Sequence, residues 1–299
     1  MGGFAYEAPT TLDAALSLLA VKAGASERTQ VLAGGTDMLV QMRGVDSEPR
    51  CIVDIKGVPE TSALSLDSDG LHIGAAVPAA VITRAADVAA AFPGLVEGID
   101  LIGSTQIQGR ASPGGNLCTA SPAGDSIPIM IANGGVAHVA SASGRREVPV
   151  EDFVVGVQRN CLQPGEMLVA LTFPHPGGRS GDAYLRFIPR TEMDIAVASA
   201  GVRLAVDEAG VITSARVAIG AVAPTALLVA AAGNALVGTT GDDAALAALA
   251  DACSAAANPI SDKRGTAEYR RRVVGVLARR ATLQALARAR GVAVKGAHA

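Results

Sequence analysis

Two glycine-rich segments, about eighty positions apart, constrain this chain most. The first is Ala33-Gly34-Gly35-Thr36-Asp37 and the second is Ser112-Pro113-Gly114-Gly115-Asn116. Glycine lets the backbone approach a ligand closely and adopt positive φ, so that consecutive N–H groups can converge on phosphate oxygens. Most of the 34 glycines in the chain must serve ordinary turns. The pairing of two such segments nevertheless predicts a site for one long ligand that carries a diphosphate.

Small and polar residues continue past the second segment, from Leu117 to Asp125, although four residues are enough to reverse a chain. The apolar residues after Asp125 predict a helix with Asp125 near its N-cap, either as a cap alone or as a ligand-binding carboxylate. Neither segment has the three spaced glycines of a dinucleotide fingerprint or the Gly-Lys-Ser/Thr of a nucleoside triphosphate loop. A nicotinamide-type Rossmann domain is therefore disfavoured.

Composition excludes several other classes of function. The chain has 299 residues, 49% of them hydrophobic, which is enough for a large core and predicts two domains. Its cysteines, Cys51, Cys118, Cys161 and Cys253, form no Cys-x-x-Cys pair, so neither a zinc site nor an iron–sulfur cluster is expected within the chain. A net charge of -3 and 3% aromatic residues without Trp disfavour nucleic-acid binding.

No membrane span is expected. The first residues lack a basic region followed by an apolar core, so no signal peptide is predicted. The most apolar stretch, 217–236, is interrupted by Pro224 and Asn234, which fits buried strand, turn and helix better than a spanning helix. These features predict a cytoplasmic protein.

The order of apolar patterns and turns predicts an α+β protein. A strand at 31–33 leads into the first glycine segment, and a helix at 38–42 follows it. The further predictions before position 174 are strands at 51–55, 71–74, 135–140 and 167–173 and helices at 79–91 and 95–102.

The segment 174–181, rich in Pro and Gly, is the predicted linker between the domains. Beyond it we expect strands at 195–206 and 211–221 and then two helices. The last helix begins near Thr266, with an apolar stripe formed by Tyr269, Val273, Val276, Leu283 and Leu286. Its arginines, Arg279, Arg280, Arg288 and Arg290, are expected on a solvated or partner-facing side.

The usual catalytic constellations are missing from the sequence. It contains neither a Gly-x-Ser-x-Gly elbow nor a His-Glu-x-x-His pair, and His72, His138, His175 and His298 are far from one another in sequence. We therefore name no catalytic residue. A diphosphate site with few acid–base candidates is typical of proteins whose cofactor does the chemistry.

Four motifs give the chain a family resemblance. They are Ala-Gly-Gly-Thr-Asp at 33–37, Gly-Gly-Asn-Leu-Cys-Thr-Ala-Ser-Pro-Ala-Gly-Asp at 114–125, Arg-Thr-Glu-Met-Asp-Ile-Ala at 190–196, and the arginine-rich run at 262–271. The whole chain resembles the FAD-binding middle subunit of the molybdenum hydroxylases, the xanthine dehydrogenase and carbon monoxide dehydrogenase group. One departure is Pro113, which stands where the family usually has Ile and which removes a backbone donor.

The resemblance implies a fold, a cofactor and a site. The fold would be a two-lobed FAD-binding domain of the vanillyl-alcohol oxidase (PCMH) type at 1–176, followed by a smaller α+β domain of the CO dehydrogenase flavoprotein type at 177–299. The FAD-binding residues would be Leu32, Ala33, Gly34, Gly35, Thr36, Asp37, Ile102, Ser112, Gly114, Gly115, Asn116, Cys118, Thr119, Ser121, Asp125, Leu168 and Arg186. Arg186 would lie near the flavin ring or, alternatively, be a surface residue of a strand.

The resemblance also implies partners. The chain would be the flavoprotein of a heterotrimer with a molybdopterin-binding large subunit and a [2Fe–2S] small subunit, passing electrons from those clusters to NAD or another acceptor. Two alternatives remain open: a stand-alone FAD oxidase acting directly on a small substrate, and a flavin-free assembly subunit whose glycine segments are only structural.

Overall fold

The computed structural model describes residues 4–23, 28–42, 50–190, 194–292 and 294. The chain begins with a three-stranded parallel sheet, in the spatial order β1-β3-β2. Its elements are β1 (Phe4–Glu7), α1 (Leu12–Ala23), β2 (Arg28–Leu32), α2 (Met38–Gln41) and β3 (Arg50–Asp54). Strand β3 is buried along its whole length, and β2 ends where the first glycine segment begins.

A five-stranded antiparallel sheet follows, in the order β4-β5-β10-β6-β7, with a small β8-β9 hairpin beside it. Several short helices connect its strands. The elements are α3 (Pro59–Ser62), β4 (Leu64–Leu66), β5 (Gly70–Gly74), α4 (Ala79–Ile82), α5 (Ala86–Ala91), α6 (Pro93–Asp100), α7 (Thr105–Gln108), α8 (Pro113–Thr119), α9 (Ser126–Ala132), β6 (Val136–Ser141), β7 (Gly144–Pro149), α10 (Val150–Phe153), β8 (Val154–Gly156), β9 (Arg159–Asn160) and β10 (Met167–Pro174).

The last part of the chain is a four-stranded antiparallel sheet, in the order β11-β12-β13-β14, covered by helices. Its elements are β11 (Ser180–Phe187), β12 (Ala198–Val206), β13 (Ile212–Gly220), β14 (Leu227–Leu228), α11 (Ala230–Leu236), α12 (Asp243–Ala256) and α13 (Ala267–Ala289). This part has its own apolar core. The mixed α+β architecture agrees with the sequence prediction, but three helices rather than two follow β13. Within the described residues, no helix has the length and apolar character needed to cross a bilayer.

The helix predicted at 79–91 is broken in two. α4 ends at Ile82 and α5 starts at Ala86, with Ala85 in an extended conformation. Ile82 and Val88 are both buried. Positions six apart point in different directions on a continuous helix, so the break allows both side chains to reach the core.

The predicted core stripe of α13 is wrong at three of its five positions, whereas Leu286 is buried and Val273 packs against the core while partly buried. Tyr269, Val276 and Leu283 are each more than 40% exposed, whereas the small residues Ala281 and Ala285 are fully buried. The helix lies directly against β11, since a Cβ placed on Gly181 would be 2.2 Å from the carbonyl oxygen of Ala285. Small side chains permit this close approach, and Tyr269, Val276 and Leu283 remain outside the contact.

Charged residues join the last sheet, β11 to β14, and its helix α13 to helix α6 in the first part of the chain. Asp182 on β11 accepts hydrogen bonds from the backbone N–H groups of Gly94 and Leu95 at the start of α6, each at 2.9 Å. Arg288 on α13 pairs with Glu97 on α6, so this arginine is not on a solvated side as expected. Of the 190–196 motif, residues 191–193 lie outside the described residues, and Arg190 and Arg264 both pair with Asp194.

Candidate functional site

A cavity of about 970 Å³ lies between the first glycine segment and helix α8. Strand β2, the β8-β9 hairpin and the start of β10 complete its walls. All of the lining residues lie at or before Leu168 in the sequence, so the last sheet contributes none of them. The cavity is thus built by the first part of the chain alone.

The first glycine segment lines the cavity with backbone N–H groups. β2 ends at Leu32, Gly35 has a positive φ of 78°, and α2 begins at Met38. Within the described residues, the N–H groups of Gly34, Gly35, Thr36 and Asp37 donate to no protein acceptor. Four successive donors without an acceptor, at the wall of a cavity, are suited to bind an anion.

Gly34 is required by packing as well as by any ligand. A Cβ at this position would lie 1.9 Å from the carbonyl oxygen of Arg110, which is two residues before the second glycine segment. The two parts of the cavity wall therefore touch backbone to backbone at Gly34. No residue with a side chain fits there unless the wall moves.

The second glycine segment is the start of a helix rather than a turn. Ser112 is the N-cap of α8, and its Oγ accepts from the N–H of Gly115 at 3.0 Å and donates to the carbonyl oxygen of Ala75 at 2.8 Å. Pro113 is the first helical residue, where the missing N–H would have no helical partner in any case. Gly114 lies against the backbone of Ala75, with its Cβ position 2.5 Å from that carbonyl oxygen.

A hydrogen bond connects the two segments. The Oγ1 of Thr119 lies 2.9 Å from Oδ2 of Asp37 and 3.0 Å from the carbonyl oxygen of Gly115, and these two acceptors share its single hydroxyl hydrogen. Asp37 is also the N-cap of α2, but its side chain makes no capping bond there. Asp37 and Thr119, both among the residues predicted to bind the ligand, are thus hydrogen-bonded to each other at the cavity wall.

All but three of the predicted site residues line this cavity; Ser121, Asp125 and Arg186 do not. The lining residues that sequence reasoning missed are Thr29, Gln30, Val31, Met38, Gln41, Arg50, Ile55, Ala75, Ala111, Gln158, Asn160, Leu162 and Met167. Those in β2 and α2 could have been found from their position next to the first glycine segment. Those in the β8-β9 hairpin and the start of β10 carry no motif in the sequence.

Asp125, at the start of α9, and Arg186, on β11, form a buried ion pair. Arg186 Nη1 donates to Asp125 Oδ2 at 2.6 Å, and the hydroxyl of Tyr184 donates to Oδ1 at 3.0 Å. Their side chains are 5% and 10% exposed, so Arg186 is not a surface residue. Asp125 occupies the N-cap position of α9 without a capping bond. Burial raises the pKa of Asp125 to about 6, although Arg186 and Tyr184 oppose the shift.

The same arginine reaches toward the cavity. Its Nη1 also donates to the carbonyl oxygen of Leu101 at 3.3 Å, next to the lining residue Ile102. The Nε of Arg186 is buried and has no hydrogen-bond partner among the described residues. The Oγ1 of Thr29, in the cavity wall, is likewise buried without a partner within the part of the chain that the structure describes.

Acid–base groups are few in the cavity wall. His72 and His138 are on strands that flank β10, where His138 Nε2 is 2.8 Å from the hydroxyl of Thr172, and neither lines the cavity. Burial, together with the nearby His138, lowers the pKa of His72. Burial also raises the pKa of Cys118 in the wall to about 12, so this thiol is protonated at neutral pH. Among the described residues, no cluster of three His, Cys, Asp or Glu side chains could hold a metal ion.

Comparison with known proteins assigns the chain to a family. Residues 2–176 match the family model described as "FAD binding domain in molybdopterin dehydrogenase", and residues 183–285 match "CO dehydrogenase flavoprotein C-terminal domain". The carbon monoxide dehydrogenase medium chain of Afipia carboxidovorans is 33% identical, covering 97% of this chain and 99% of that one. The xanthine dehydrogenase FAD-binding subunit of Escherichia coli O157:H7 is 28% identical, covering 96% of this chain and 97% of the other.

Solved structures agree with the sequence relatives. The crystal structure of the cyanide-inactivated Cu,Mo-CO dehydrogenase contains a chain that superposes with a TM-score of 0.89 at 31% identity, covering 96% of this chain and 99% of that chain. Quinoline 2-oxidoreductase from Pseudomonas putida 86 contains one with a TM-score of 0.86 at 27% identity, covering 96% and 98%. The chain belongs to the family of FAD-binding flavoprotein subunits of the molybdenum hydroxylases.

Proposed function

We propose that the 970 Å³ cavity is the FAD site and that the chain is an electron-transfer subunit in a complex. FAD held there would accept electrons from [2Fe–2S] clusters of a small subunit and pass them to NAD or another acceptor. Substrate oxidation would take place on a molybdopterin-binding large subunit. The observation that carries the proposal is the row of four backbone N–H groups, from Gly34 to Asp37, without a protein acceptor.

The residues present fit a long cofactor with a diphosphate. The cavity volume lies at the upper end of the range of cofactor pockets. The diphosphate would accept from the N–H groups of Gly34 and Gly35, and the hydroxyls of Thr36 and Thr119 are further donors within the wall. The unpartnered Oγ1 of Thr29 would be satisfied by a polar group of the ligand.

The protein's part in the reaction is binding and orientation. FAD supplies the redox chemistry, because it exchanges electrons with both one-electron and two-electron partners. None of the described residues that line the cavity is a histidine, and Cys118 stays protonated because of its raised pKa. Asp37, as a carboxylate, can only accept hydrogen bonds, so it would face a hydroxyl rather than the phosphates.

Three predicted site residues do not line the cavity and have another place in the proposal: Ser121, Asp125 and Arg186. We propose that they lie beside the flavin end of the ligand, since Arg186 already reaches the carbonyl oxygen next to Ile102 and has an unpartnered Nε. We also propose the division into domains at 1–176 and 177–299. It is supported by the connection between β10 and β11 and by the separate core of the last sheet.

The test of the FAD site is stoichiometric binding to the purified chain. The wild-type chain should retain about one FAD per chain, seen in the flavin absorbance bands. Thr36→Trp, which fills the cavity, should lose it, whereas the exposed control Thr240→Trp should not. A Thr36→Trp chain that still holds stoichiometric FAD would remove this cavity from the function.

The test of the electron-transfer role compares the chain alone with the complex. The FAD-loaded chain should be reduced by dithionite and should not oxidise purines, aldehydes or carbon monoxide, and co-purified partner subunits should restore oxidation of one of them. Turnover by the chain alone, at the rate of the complex, would favour a stand-alone oxidase. Absence of flavin with and without partner subunits would favour an assembly subunit.

A further inference from the structure

A chain of hydrogen bonds leads from the protein surface to the first glycine segment. The hydroxyl of Tyr6 donates to Asp54 Oδ2 at 2.6 Å, and Lys56 Nζ lies 2.7 Å from both carboxylate oxygens of Asp54. The same Nζ donates to the carbonyl oxygen of Ala33 at 3.1 Å. Asp54 and Lys56 are outside the cavity lining, whereas Ala33, which accepts from Lys56, lines the cavity.

Asp54 and Lys56 form an ion pair that further hydrogen bonds hold in place. Asp54 is 7% exposed. Burial alone would raise its pKa, but hydrogen bonds from Lys56 and Tyr6 outweigh burial and lower the pKa. The backbone N–H of Lys56 adds a bond to Oδ1 at 3.0 Å. Asp54 is therefore ionised at neutral pH and fixes the ammonium group beside Ala33 through charge-assisted bonds.

The orientation of one peptide group depends on this ammonium group. A trans peptide is planar and its C=O and N–H point in opposite directions. Because Lys56 holds the carbonyl oxygen of Ala33, the N–H of Gly34 must point away from Lys56. The next backbone contacts along the chain are Leu32 O, which accepts from Ile55 N, and Gly35 O, which accepts from Leu39 N.

The glycines make this control necessary. Gly34 and Gly35 have no side chains to restrict φ and ψ. The Ala33–Gly34 peptide group can therefore rotate unless a hydrogen bond holds it. Among the described residues, Lys56 provides the hydrogen bond to Ala33 O. Rotation of this peptide would turn a carbonyl oxygen toward the place proposed for the diphosphate, and a carbonyl oxygen repels phosphate.

We propose that Lys56, oriented by Asp54, is a positioning residue for FAD binding: it fixes the Ala33–Gly34 peptide so that the Gly34 N–H faces the cofactor's diphosphate. The inference rests on the proposed FAD site. Lys56 acts through the backbone, without touching the ligand. Arginine at this position could donate both to Asp54 and to Ala33 O, whereas methionine has the stem but no donor.

The experiment measures the dissociation constant of FAD for full-length variants by fluorescence titration. Lys56→Met should raise it about tenfold, and Lys56→Arg should stay within about threefold of wild type. Lys263→Met removes an equal charge from an exposed turn and should change nothing. The loss in Lys56→Met should persist from 50 mM to 500 mM salt, since orientation, unlike distant charge, is not screened.

Several results would overturn the inference. They are an unchanged dissociation constant in Lys56→Met, no recovery in Lys56→Arg, or a loss that disappears in high salt. If Lys56→Met fails to fold because Asp54 is left unpaired, Asp54→Asn/Lys56→Met buries no lone charge and should show the same tenfold loss. A wild-type chain that binds no FAD would instead reject the proposed function, and this inference with it.

Discussion

The two glycine segments look alike in sequence and differ in structure. In the first, Gly35 takes a left-handed conformation, and four N–H groups from Gly34 to Asp37 have no protein acceptor among the described residues. In the second, Ser112 caps helix α8, and the N–H of Gly115 is bound by the Ser112 side chain. The first segment leaves its backbone donors open to a ligand, while in the second the N–H groups of Gly115 and Asn116 are bound by Ser112.

The difference teaches that paired glycines do not define a backbone conformation. The residue before them carries the distinction, since Ser-Pro is typical of an N-cap followed by the first helical position. One feature is nevertheless shared: Gly34 and Gly114 each lie against another backbone, at Arg110 and Ala75. Four predictions test where the segments behave alike and where they differ.

The largest effect should be the same in both segments. Gly34→Ala and Gly114→Ala should each lower the free energy of unfolding by about 3 kcal/mol, because the new Cβ collides with a backbone carbonyl that cannot move cheaply. Gly109→Ala is the control, since its Cβ would meet nothing within 4 Å, and it should change stability by less than about 0.5 kcal/mol. Urea unfolding of the three variants measures this, and a mild effect at Gly34 would mean that the cavity wall is loose.

The second effect concerns Asp125, at the start of α9, and has no counterpart in the first glycine segment. Burial raises the pKa of Asp125 to about 6, above its unfolded value of about 3.9, so the folded state binds the proton more tightly. Protonation of Asp125 therefore adds about 2 to 3 kcal/mol to the free energy of unfolding below about pH 4, and this contribution is lost as the pH rises through 6. Urea unfolding between pH 4 and 7 should show this decline, and Asp125→Asn should flatten it. Equal slopes in both proteins would contradict the prediction.

The third effect separates the turn from the helix. Gly35→Ala should cost about 1 to 2 kcal/mol because φ is 78° there, and FAD affinity should fall with it. Gly115→Ala is in a helix with its Cβ 3.1 Å from Ser112 Oγ, so the better helix propensity of Ala should offset the contact and leave stability nearly unchanged. Thermal unfolding and FAD titration of both variants decide. Similar losses in the two would break the comparison.

The smallest effect concerns the two N-caps. Ser112→Ala should destabilise by about 1 kcal/mol, because the side chain caps α8. Asp37→Ala should have less than half of that effect on the chain without FAD, since the Asp37 side chain makes no capping bond to α2. Chemical unfolding without cofactor measures both, and a larger loss for Asp37→Ala would show that its bond to Thr119 matters more than the cap.

Local patterns predicted much of the fold. The strands at 51–55, 71–74 and 167–173, the last helix and the α+β class all agree with the structure, since these segments have clear periodicity or turn residues at their ends. The stripe on α13 could be predicted only in part, because the helix buries many small residues, such as Ala281 and Ala285, beside larger ones such as Leu277 and Leu286. The lining residues Gln158 and Asn160 carry no motif and reach the cavity only through the hairpin that contains them.

The sequence by itself determined the family, the cofactor class and the two segments that form the cavity, because these depend on residue types in short, ordered motifs. Only the tertiary structure decided what each motif residue does. Asp125 and Arg186, 61 positions apart, form a buried ion pair, and Lys56 binds the carbonyl oxygen of Ala33. Only glycine fits at position 34, because the carbonyl oxygen of Arg110 lies where a Cβ would be. Such contacts join atoms far apart along the chain, and their distances are set by how whole sheets and helices pack rather than by local preference.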